Sequence, residues 1–181
     1  TGFLLNDEMD DFTVKPGAAN LFGLVQGARN AIAPGKRPLS SMSPTIVSKD
    51  GRVFLVLGSP GGSRIITTVA ETILNVVDFC MRPREAVNAP RIHHQWLPDQ
   101  IFHEPFALSP DTIALLRARG YDLVEQSPWG AAELIAVAPP APEIGGPVSS
   151  GNDSASSGAI LPGRIYGAND DRRPAGAAAA E

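Results

Sequence analysis

Apolar and polar residues follow one another in blocks along this chain, and the blocks predict a mixed order of strands and helices. Residues 45–47 and the apolar run VFLVL at 53–57 flank Asp50-Gly51, a pair typical of the tight turn of a β-hairpin. Because the run is apolar at every position, we expect a central strand that is buried on both faces. Apolar residues then recur at helical spacing and predict a helix from Ser63 to about Phe79: Ile65, Ile66, Val69, Ile73, Val76 and Val77.

The rest of the chain continues this mixed α and β order. Residues 83–88 predict a short helix, and Ser109, Pro110 and Asp111 predict the start of another, which Gly120 ends. The segment 15–37 holds glycines, prolines and scattered apolar residues, so we expect a long loop that folds over a pocket. Short strands are predicted at 2–5, 101–104, 122–126, 133–138 and 164–167.

One domain is predicted for residues 1–173, because a chain of 181 residues with 43% hydrophobic content can bury one core. Residues 139–163 are rich in Pro, Gly, Ser and Ala, and we expect a flexible insertion between two strands there. The alanine-rich end, 174–181, is expected to be disordered.

Composition narrows the classes of partner and cofactor. The net charge of -4 and the pI of about 5.4, with no cluster of Lys or Arg, argue against a nucleic-acid partner. No apolar run reaches about 18 residues, and the start does not resemble a signal peptide. His93, His94 and His103 lack the spacing of a zinc site, so neither a metal nor another cofactor is expected. Cys80 ends the apolar helical run and is expected to be a buried packing thiol.

Two blocks of small residues, PLSSMSP at 38–44 and GSPGGSRI at 58–65, predict an anion site. Gly61 and Gly62 lie where the predicted helix begins, so their backbone N–H groups and the helix dipole favour a negative ligand. The stretch lacks the lysine and the spacing of a phosphate-binding P-loop, and it lacks the dinucleotide fingerprint GxGxxG. The paired amides would then hold the oxyanion of a tetrahedral intermediate, or else form a turn of purely structural use.

Polar groups that suit the two ends of an amino acid flank this turn in the sequence. The hydroxyls of Ser40 and Ser41 can donate hydrogen bonds to a carboxylate, unless they only form a turn before Pro44. The block NDEMDDF at 6–12 concentrates acids that predict a bound cation, with a solvated acidic loop as the alternative. An ammonium suits the block better than calcium, because the calcium-loop spacing is absent. Together these groups predict a site for an amino acid that is acylated through its side chain.

Four blocks resemble, in their order and their residues, the small subunit of γ-glutamyltranspeptidases: LLNDEMDDF, RPLSSMSPTIV, GSPGGSRIITTV and APRIHHQWLPD. The resemblance runs from Gly2 to about Pro110 and more loosely to Arg172. It implies an α+β fold, the αββα sandwich of N-terminal-nucleophile hydrolases, here partial because the first strands of the small subunit are missing. It also implies an enzyme that is autoprocessed from a precursor. Such an enzyme transfers the γ-glutamyl group of glutathione to water, amino acids or peptides through a γ-glutamyl-threonyl intermediate.

The resemblance also assigns roles in substrate binding. The α-ammonium of the γ-glutamyl group would be held by Glu8 and Asp11, and its α-carboxylate by Ser40 and Ser41. Residues 20–30 resemble the lid loop over the glutamyl pocket of bacterial members, which matches the loop inferred from composition. The large subunit of the same precursor would add an arginine to the substrate carboxylate.

For catalysis, the resemblance implies that Gly61 and Gly62 supply the oxyanion hole. The family's nucleophilic threonine lies in a TTH-type motif upstream of the acidic block, and Thr1 is not that residue. We therefore expect this chain alone to be inactive. Family members act outside the cytoplasm, which implies a periplasmic or secreted protein.

Two other functions stay open at this point. A cephalosporin or glutaryl acylase has the same scaffold but acts on substrates without an α-ammonium, so it has little use for Glu8 and Asp11. A non-catalytic remnant or binding module would keep the fold without a nucleophile.

Overall fold

The computed structural model of the chain describes residues 7–138 and 163–172. These residues form two compact units. The first consists of residues 7–43, Pro60–Thr68 and Pro90–Gly130. The second consists of Pro44–Ser59, Val69–Ala89 and the described residues from Ala131 onward. The predicted strand at 2–5, the insertion at 139–163 and the tail at 174–181 lie outside the described residues, apart from Gly163.

The mixed order of helices and strands that the sequence predicts is confirmed, with ends that shift by a few residues. No helix within the described ranges is both long and apolar enough to cross a membrane. The elements in chain order are β1 (Thr45–Lys49), β2 (Arg52–Gly58), α1 (Arg64–Val77), α2 (Pro83–Asn88), β3 (Ile92–His93), β4 (Ile101–His103), α3 (Pro110–Ala118), β5 (Leu123–Glu125), β6 (Glu133–Val137) and β7 (Ile165–Asn169).

A four-stranded antiparallel sheet with the order β1-β2-β6-β7 lies in the second unit. The predicted hairpin of β1 and β2 is confirmed. Asp50 and Gly51 have φ angles of 53° and 74°, the left-handed conformation that a tight hairpin turn requires at both of its central positions. The turn therefore joins β1 to β2, and pairing with β6 on the other side makes β2 an interior strand of this sheet.

The expected burial of β2 on both faces is wrong for the described part of the chain. Leu55 and Leu57 are buried, whereas Val53 is 47% exposed and the residues between them are half-buried. The neighbouring strand β6 shows the same alternation, with Leu134 buried and Ile135 exposed. The sheet is antiparallel, and such a sheet can bury one face while the other stays open, so alternate residues differ in burial even in an apolar run.

The predicted long helix is confirmed as α1, but its buried face differs from the apolar set. Thr68 and Thr72 are buried on this face, whereas Ile66 and Val77 are about half exposed. The expectation of a buried thiol at Cys80 is wrong, because Cys80 is exposed. The helix ends at Val77, and Cys80 adopts a φ of 54° in the turn that follows, so the apolar run does not continue as a helix.

In the first unit, β4 pairs with β3 in antiparallel and with β5 in parallel orientation, and α3 connects β4 to β5. The buried carboxylate of Glu104 accepts hydrogen bonds from the backbone N–H groups of Arg91 (3.2 Å) and Trp129 (2.9 Å). The guanidinium of Arg91 donates to the carbonyl of Trp129 at 2.6 Å. Because buried charges are costly without partners, these bonds hold Trp129, and with it Gly130, at a fixed position.

The long loop predicted at 15–37 is confirmed in the first unit. It contains the 3₁₀ turn Ala28–Asn30 and an isolated bridge between Ala19 and Val25. A second isolated bridge joins Ala31 to Thr13, which directly follows the acidic block and Phe12. The loop is therefore tied back to the acidic part of the sequence.

Candidate active site

The acidic block forms a 3₁₀ turn, Glu8–Asp11, in the first unit. Glu8 and Asp11 are both half-buried. Burial, followed by the neighbouring charges of Asp10 and Asp7, raises the pKa of the Asp11 carboxyl above its ordinary value of 3.8. Within the described ranges, no cationic side chain lies at ion-pair distance from Asp11. A carboxylate held among like charges gains most from a cation that arrives with a ligand, so the turn suits an ammonium.

Asn30 joins the acidic turn to the serine segment. Its side-chain amide donates to the carbonyl of Asp11 and to Oε1 of Gln26, both at 2.7 Å. Its Oδ1 accepts a hydrogen bond from the backbone N–H of Leu39 at 2.8 Å. Leu39 directly precedes Ser40, so one side chain fixes the backbone on both sides of the candidate site.

We expect Asn30→Asp to destabilise the protein by about 1–3 kcal/mol, because two donors are lost and a carboxylate then faces two oxygen acceptors. Urea unfolding of the full-length protein measures this change. Asn20→Asp is the matched control in the same loop. The Oδ1 of Asn20 only accepts hydrogen bonds, from the N–H groups of Phe22 and Leu24 at 3.0 Å, and an aspartate keeps both. Equal destabilisation by the two variants would show that Asn30 is not the connecting residue.

Ser40 and Ser41 lie in a segment that is neither helix nor strand. Ser40 is exposed, and its Oγ accepts a hydrogen bond from the N–H of Met42 at 3.2 Å. That bond uses a lone pair of Oγ, so the hydroxyl proton stays available to a ligand. Ser41 is half-buried, and its hydroxyl makes no hydrogen bond to any described residue. Both hydroxyls can therefore donate to an anion.

Gly61 and Gly62 form the turn before α1, with φ angles of 142° and 58° that favour glycine. Their carbonyls accept hydrogen bonds from the N–H groups of Arg64 (3.2 Å) and Ile65 (3.1 Å), and these bonds start the helix. The N–H groups of the two glycines have no acceptor in the part of the chain that the structure describes. Two unpaired amides at the start of a 14-residue helix can hold a negatively charged oxygen.

The turn leaves little space for side chains. The ring of Phe22, from the loop that the sequence places over the pocket, lies against Gly62, and a Cβ on Gly62 would overlap the ring. A Cβ on Gly61 would come within 3.8 Å of the Cα of Gly130. Glycine at position 62 is therefore required by both its φ angle and its contact with Phe22.

A cavity of about 250 Å³ separates the loop from the acidic turn. Asp11 and Gln26 contribute polar groups to its lining, and Phe22 contributes an apolar one. The lining does not include Glu8, the two serines or the two glycines. All six predicted residues nevertheless lie in the first unit, where Asn30 contacts the acidic turn and the serine segment and Phe22 contacts the glycine turn.

His93, at the end of β3, and His94, which follows it, face different surroundings. His93 is buried, with Nδ1 2.8 Å from Oγ1 of Thr67 and Nε2 2.9 Å from Oε1 of Gln95. His94 is exposed and contacts Asp99 at 3.0 Å. Because Oε1 of Gln95 can only accept, Nε2 of His93 carries the proton.

We expect the stability contributed by His93 to fall as the pH drops below 6.5. Burial lowers the pKa of His93 below 6.5, and the positive charges of Arg64 and His94 lower it further, against the opposing hydrogen bond of Gln95. The unfolded chain then binds the proton at a higher pH than the folded chain, so stability is lost between the unfolded and the folded pKa. Urea unfolding of the wild type and His93→Gln from pH 5 to 7.5 measures the effect. A difference between them that stays constant over this range would contradict the prediction.

Three residues that contact the candidate site were not predicted from the sequence: Phe22, Asn30 and Gln95. Phe22 and Asn30 lie in the segment that both its composition and the family resemblance assign to a loop over the pocket, but neither signal singles out these two residues. Gln95 lies in the block APRIHHQWLPD, whose histidines lack the spacing of a zinc site, and the sequence gives no separate signal for the glutamine.

Comparison with known proteins identifies the family of the chain. The sequence profile described as γ-glutamyltranspeptidase matches residues 1–179. A glutathione hydrolase proenzyme of Pseudomonas sp. (strain A14) is 51% identical over 178 residues, which cover 98% of this chain and 29% of that protein. The chain thus spans under a third of the length of this curated relative.

Solved structures support the fold assignment. The crystal structure of a mutant of Helicobacter pylori γ-glutamyltranspeptidase is 48% identical with a TM-score of 0.77, and the match covers 95% of this chain and 82% of that one. Cephalosporin acylase from Bacillus halodurans is 27% identical with a TM-score of 0.54, over 60% of this chain and 20% of that one. The predicted α+β fold of the N-terminal-nucleophile hydrolases is confirmed by these matches. The chain belongs to the γ-glutamyltranspeptidase family.

Proposed function

We propose that this chain is part of a γ-glutamyltranspeptidase that cleaves the γ-glutamyl bond of glutathione and related compounds. The γ-glutamyl group would pass to water, amino acids or peptides. The observation that carries the proposal is the half-buried Asp11, a carboxylate without a cationic partner among the described residues, which Asn30 ties to the segment of two donor hydroxyls. An acid beside two hydroxyl donors matches the ammonium and the carboxylate of a glutamyl head group.

In this proposal the acidic turn and the serines bind the α-amino acid end of the substrate. Asp11, with Glu8 in the same turn, accepts hydrogen bonds from the α-ammonium. Ser40 and Ser41 donate to the α-carboxylate. The raised pKa of Asp11 falls when the ammonium binds, since an adjacent positive charge favours the carboxylate form.

The glycine turn acts on the other end of the glutamyl group. When a nucleophile attacks the γ-carbonyl carbon, the C=O π electrons move onto oxygen, and the N–H groups of Gly61 and Gly62 stabilise that oxyanion. Collapse of the intermediate restores the carbonyl and expels the leaving amine, which takes up a proton. The attacking threonine that the family resemblance implies would lie outside these 181 residues, and no residue of this chain is assigned as nucleophile.

The proposal includes partners and a compartment. A large subunit from the same precursor would complete the pocket, which agrees with the name proenzyme that the Pseudomonas relative carries. The acceptor would be water, an amino acid or a peptide. We also propose that the protein acts in the periplasm or is secreted. Acyl transfer of this kind proceeds on protein groups, so the proposal includes no metal or cofactor.

Initial rates of the full-length protein with γ-glutamyl and glutaryl p-nitroanilides test this function. The two substrates differ only in the α-ammonium. We expect kcat/KM for the γ-glutamyl substrate to be higher by about 30-fold or more, because its ammonium pairs with the half-buried carboxylate of Asp11. Equal turnover of the two substrates would favour a glutaryl or cephalosporin acylase. Turnover of neither would favour a non-catalytic binding module.

A further inference from the structure

We propose that Gln95 is a positioning residue that clamps the peptide between Phe22 and Gly23 to the start of α1, and so fixes the ring of Phe22 on Gly62. The clamp is defined by the hydrogen bonds of the Gln95 side chain and does not depend on the reaction. Its effect on substrate binding rests on the function proposed above.

The side-chain amide of Gln95 uses both of its ends. Its Nε2 donates to the carbonyl of Phe22 at 2.7 Å and to the carbonyl of Leu97 at 3.2 Å. Its Oε1 accepts from Oγ of Ser63 at 2.8 Å and from Nε2 of His93 at 2.9 Å. Two carbonyls on one side and two donors on the other fix the orientation of the amide. Gln95 therefore links the loop to Ser63, the residue that follows Gly62.

The accepting end of Gln95 is itself held in place. His93 is buried, its ring is stacked on that of Phe102, and its Nδ1 lies 2.8 Å from Oγ1 of Thr67 in the first turns of α1. The start of α1 is thus connected to Gln95 twice, directly by Ser63 and through His93 by Thr67. A side chain whose partners are rigid can impose its geometry on a more mobile loop.

Hydrogen bonds within residues 20–24 hold this part of the loop in a turn. The side chain of Asn20 accepts hydrogen bonds from the N–H groups of Phe22 and Leu24. The backbone carbonyl of Asn20 accepts a third from the N–H of Gly23 at 2.9 Å. Within the described ranges, the bond from Gln95 to Phe22 is the hydrogen bond that ties residues 20–24 to another part of the chain. Loss of this bond would free the turn as a whole.

Gly23 lies beside Pro98 and Gln95, so the loop is in contact with this site. Gly23 has a φ of 76°, and a Cβ on it would lie 3.4 Å from Cδ of Pro98 and 3.8 Å from Nε2 of Gln95. The ring of the preceding residue, Phe22, lies against Gly62. The position of one peptide group thus sets how closely an aromatic ring covers the proposed oxyanion amides.

Hydrogen exchange in the full-length protein, followed by mass spectrometry of peptides that cover residues 20–26, tests the clamp. We expect amides of this segment to exchange about five- to tenfold faster in Gln95→Leu than in the wild type, as loss of one such hydrogen bond would cause. Gln95→Glu keeps the accepting oxygen but loses the donor to Phe22. It should loosen residues 20–26 while α1 stays protected, which also covers the case in which Gln95→Leu does not fold.

Gln100→Leu is the matched control, because Gln100 also donates from Nε2 to a side chain of the first unit, Asp122, at 2.8 Å. It should leave exchange in residues 20–26 unchanged. Unchanged exchange of that segment in Gln95→Glu as well would overturn the clamp.

Kinetics separate the clamp from the proposed function. For γ-glutamyl p-nitroanilide we expect Gln95→Glu to raise KM about five- to tenfold with kcat within about twofold of the wild type. Faster exchange with an unchanged KM would overturn the role in substrate binding. If the wild type turns over no γ-glutamyl substrate, the proposed function fails, and hydrogen exchange alone still decides whether Gln95 holds the loop.

Discussion

Asp11→Asn in the full-length protein is expected to lower kcat/KM for γ-glutamyl p-nitroanilide by about 30- to 1,000-fold. This is the lower part of the range found when one partner of a desolvated charge pair is removed, because Asp11 is half-buried. The half-buried carboxylate of Asp11 has no cationic partner in the described chain, and burial raises its pKa. Asparagine keeps the shape of this side chain and loses its charge. Steady-state kinetics with γ-glutamyl and glutaryl substrates measure the effect, and the glutaryl substrate should be far less affected.

Asp7→Asn provides a matched control for the Asp11 variant. Asp7 belongs to the same acidic block, it is exposed, and its charge also raises the pKa of Asp11. Removing this charge should change kcat/KM by less than about threefold, as is usual for an exposed substitution. Near-normal kinetics for Asp11→Asn, or equal losses for both variants, would count against Asp11 as the ammonium ligand.

Gly62→Ala is expected to lower kcat/KM by about 100-fold or more, the cost of losing an oxyanion-hole donor. A Cβ at this position would overlap the ring of Phe22, and the φ angle of 58° is unfavourable for alanine. Either the ring or the glycine turn must move, and the amide is then displaced from its position. Kinetics together with thermal unfolding of the full-length protein measure the change.

Gly120→Ala separates backbone strain from displacement of the turn. Gly120 follows α3 with a φ of 91°, and a Cβ there would meet nothing within 4 Å. We expect a loss of about 1–2 kcal/mol in stability and kinetics within about twofold of the wild type. If Gly62→Ala had kinetics as close to normal as Gly120→Ala, the amides of this turn would not form the oxyanion hole.

Elements with local causes could be predicted from the sequence. The Asp50-Gly51 turn fixes the hairpin because both residues tolerate a positive φ, and the helical spacing around Val69 gives α1. The glycine turn was found for the same reason, since two adjacent glycines before a helix have a local structural meaning. The acids and serines were found by their chemistry, and their part in binding stays a prediction.

Contacts between distant parts of the chain could not be predicted. Asn30 bonds to Asp11 and Leu39, and Gln95 bonds to Phe22 across 73 residues, and neither amide has a local signature. The expectation that β2 is buried on both faces was wrong for a related reason, because an apolar run does not indicate what covers each face of a strand. In each case the missing information is which non-local neighbour a residue meets.

A crystal structure of the full-length protein with bound L-glutamate would show whether the acidic turn, the serines and the glycine turn form one substrate site. We expect the α-ammonium to lie within hydrogen-bond distance of the Asp11 carboxylate and the α-carboxylate to accept hydrogen bonds from the hydroxyls of Ser40 and Ser41. The side chain of the glutamate should extend toward the N–H groups of Gly61 and Gly62. Glutamate bound without contact to Asp11 or either serine would contradict this binding mode.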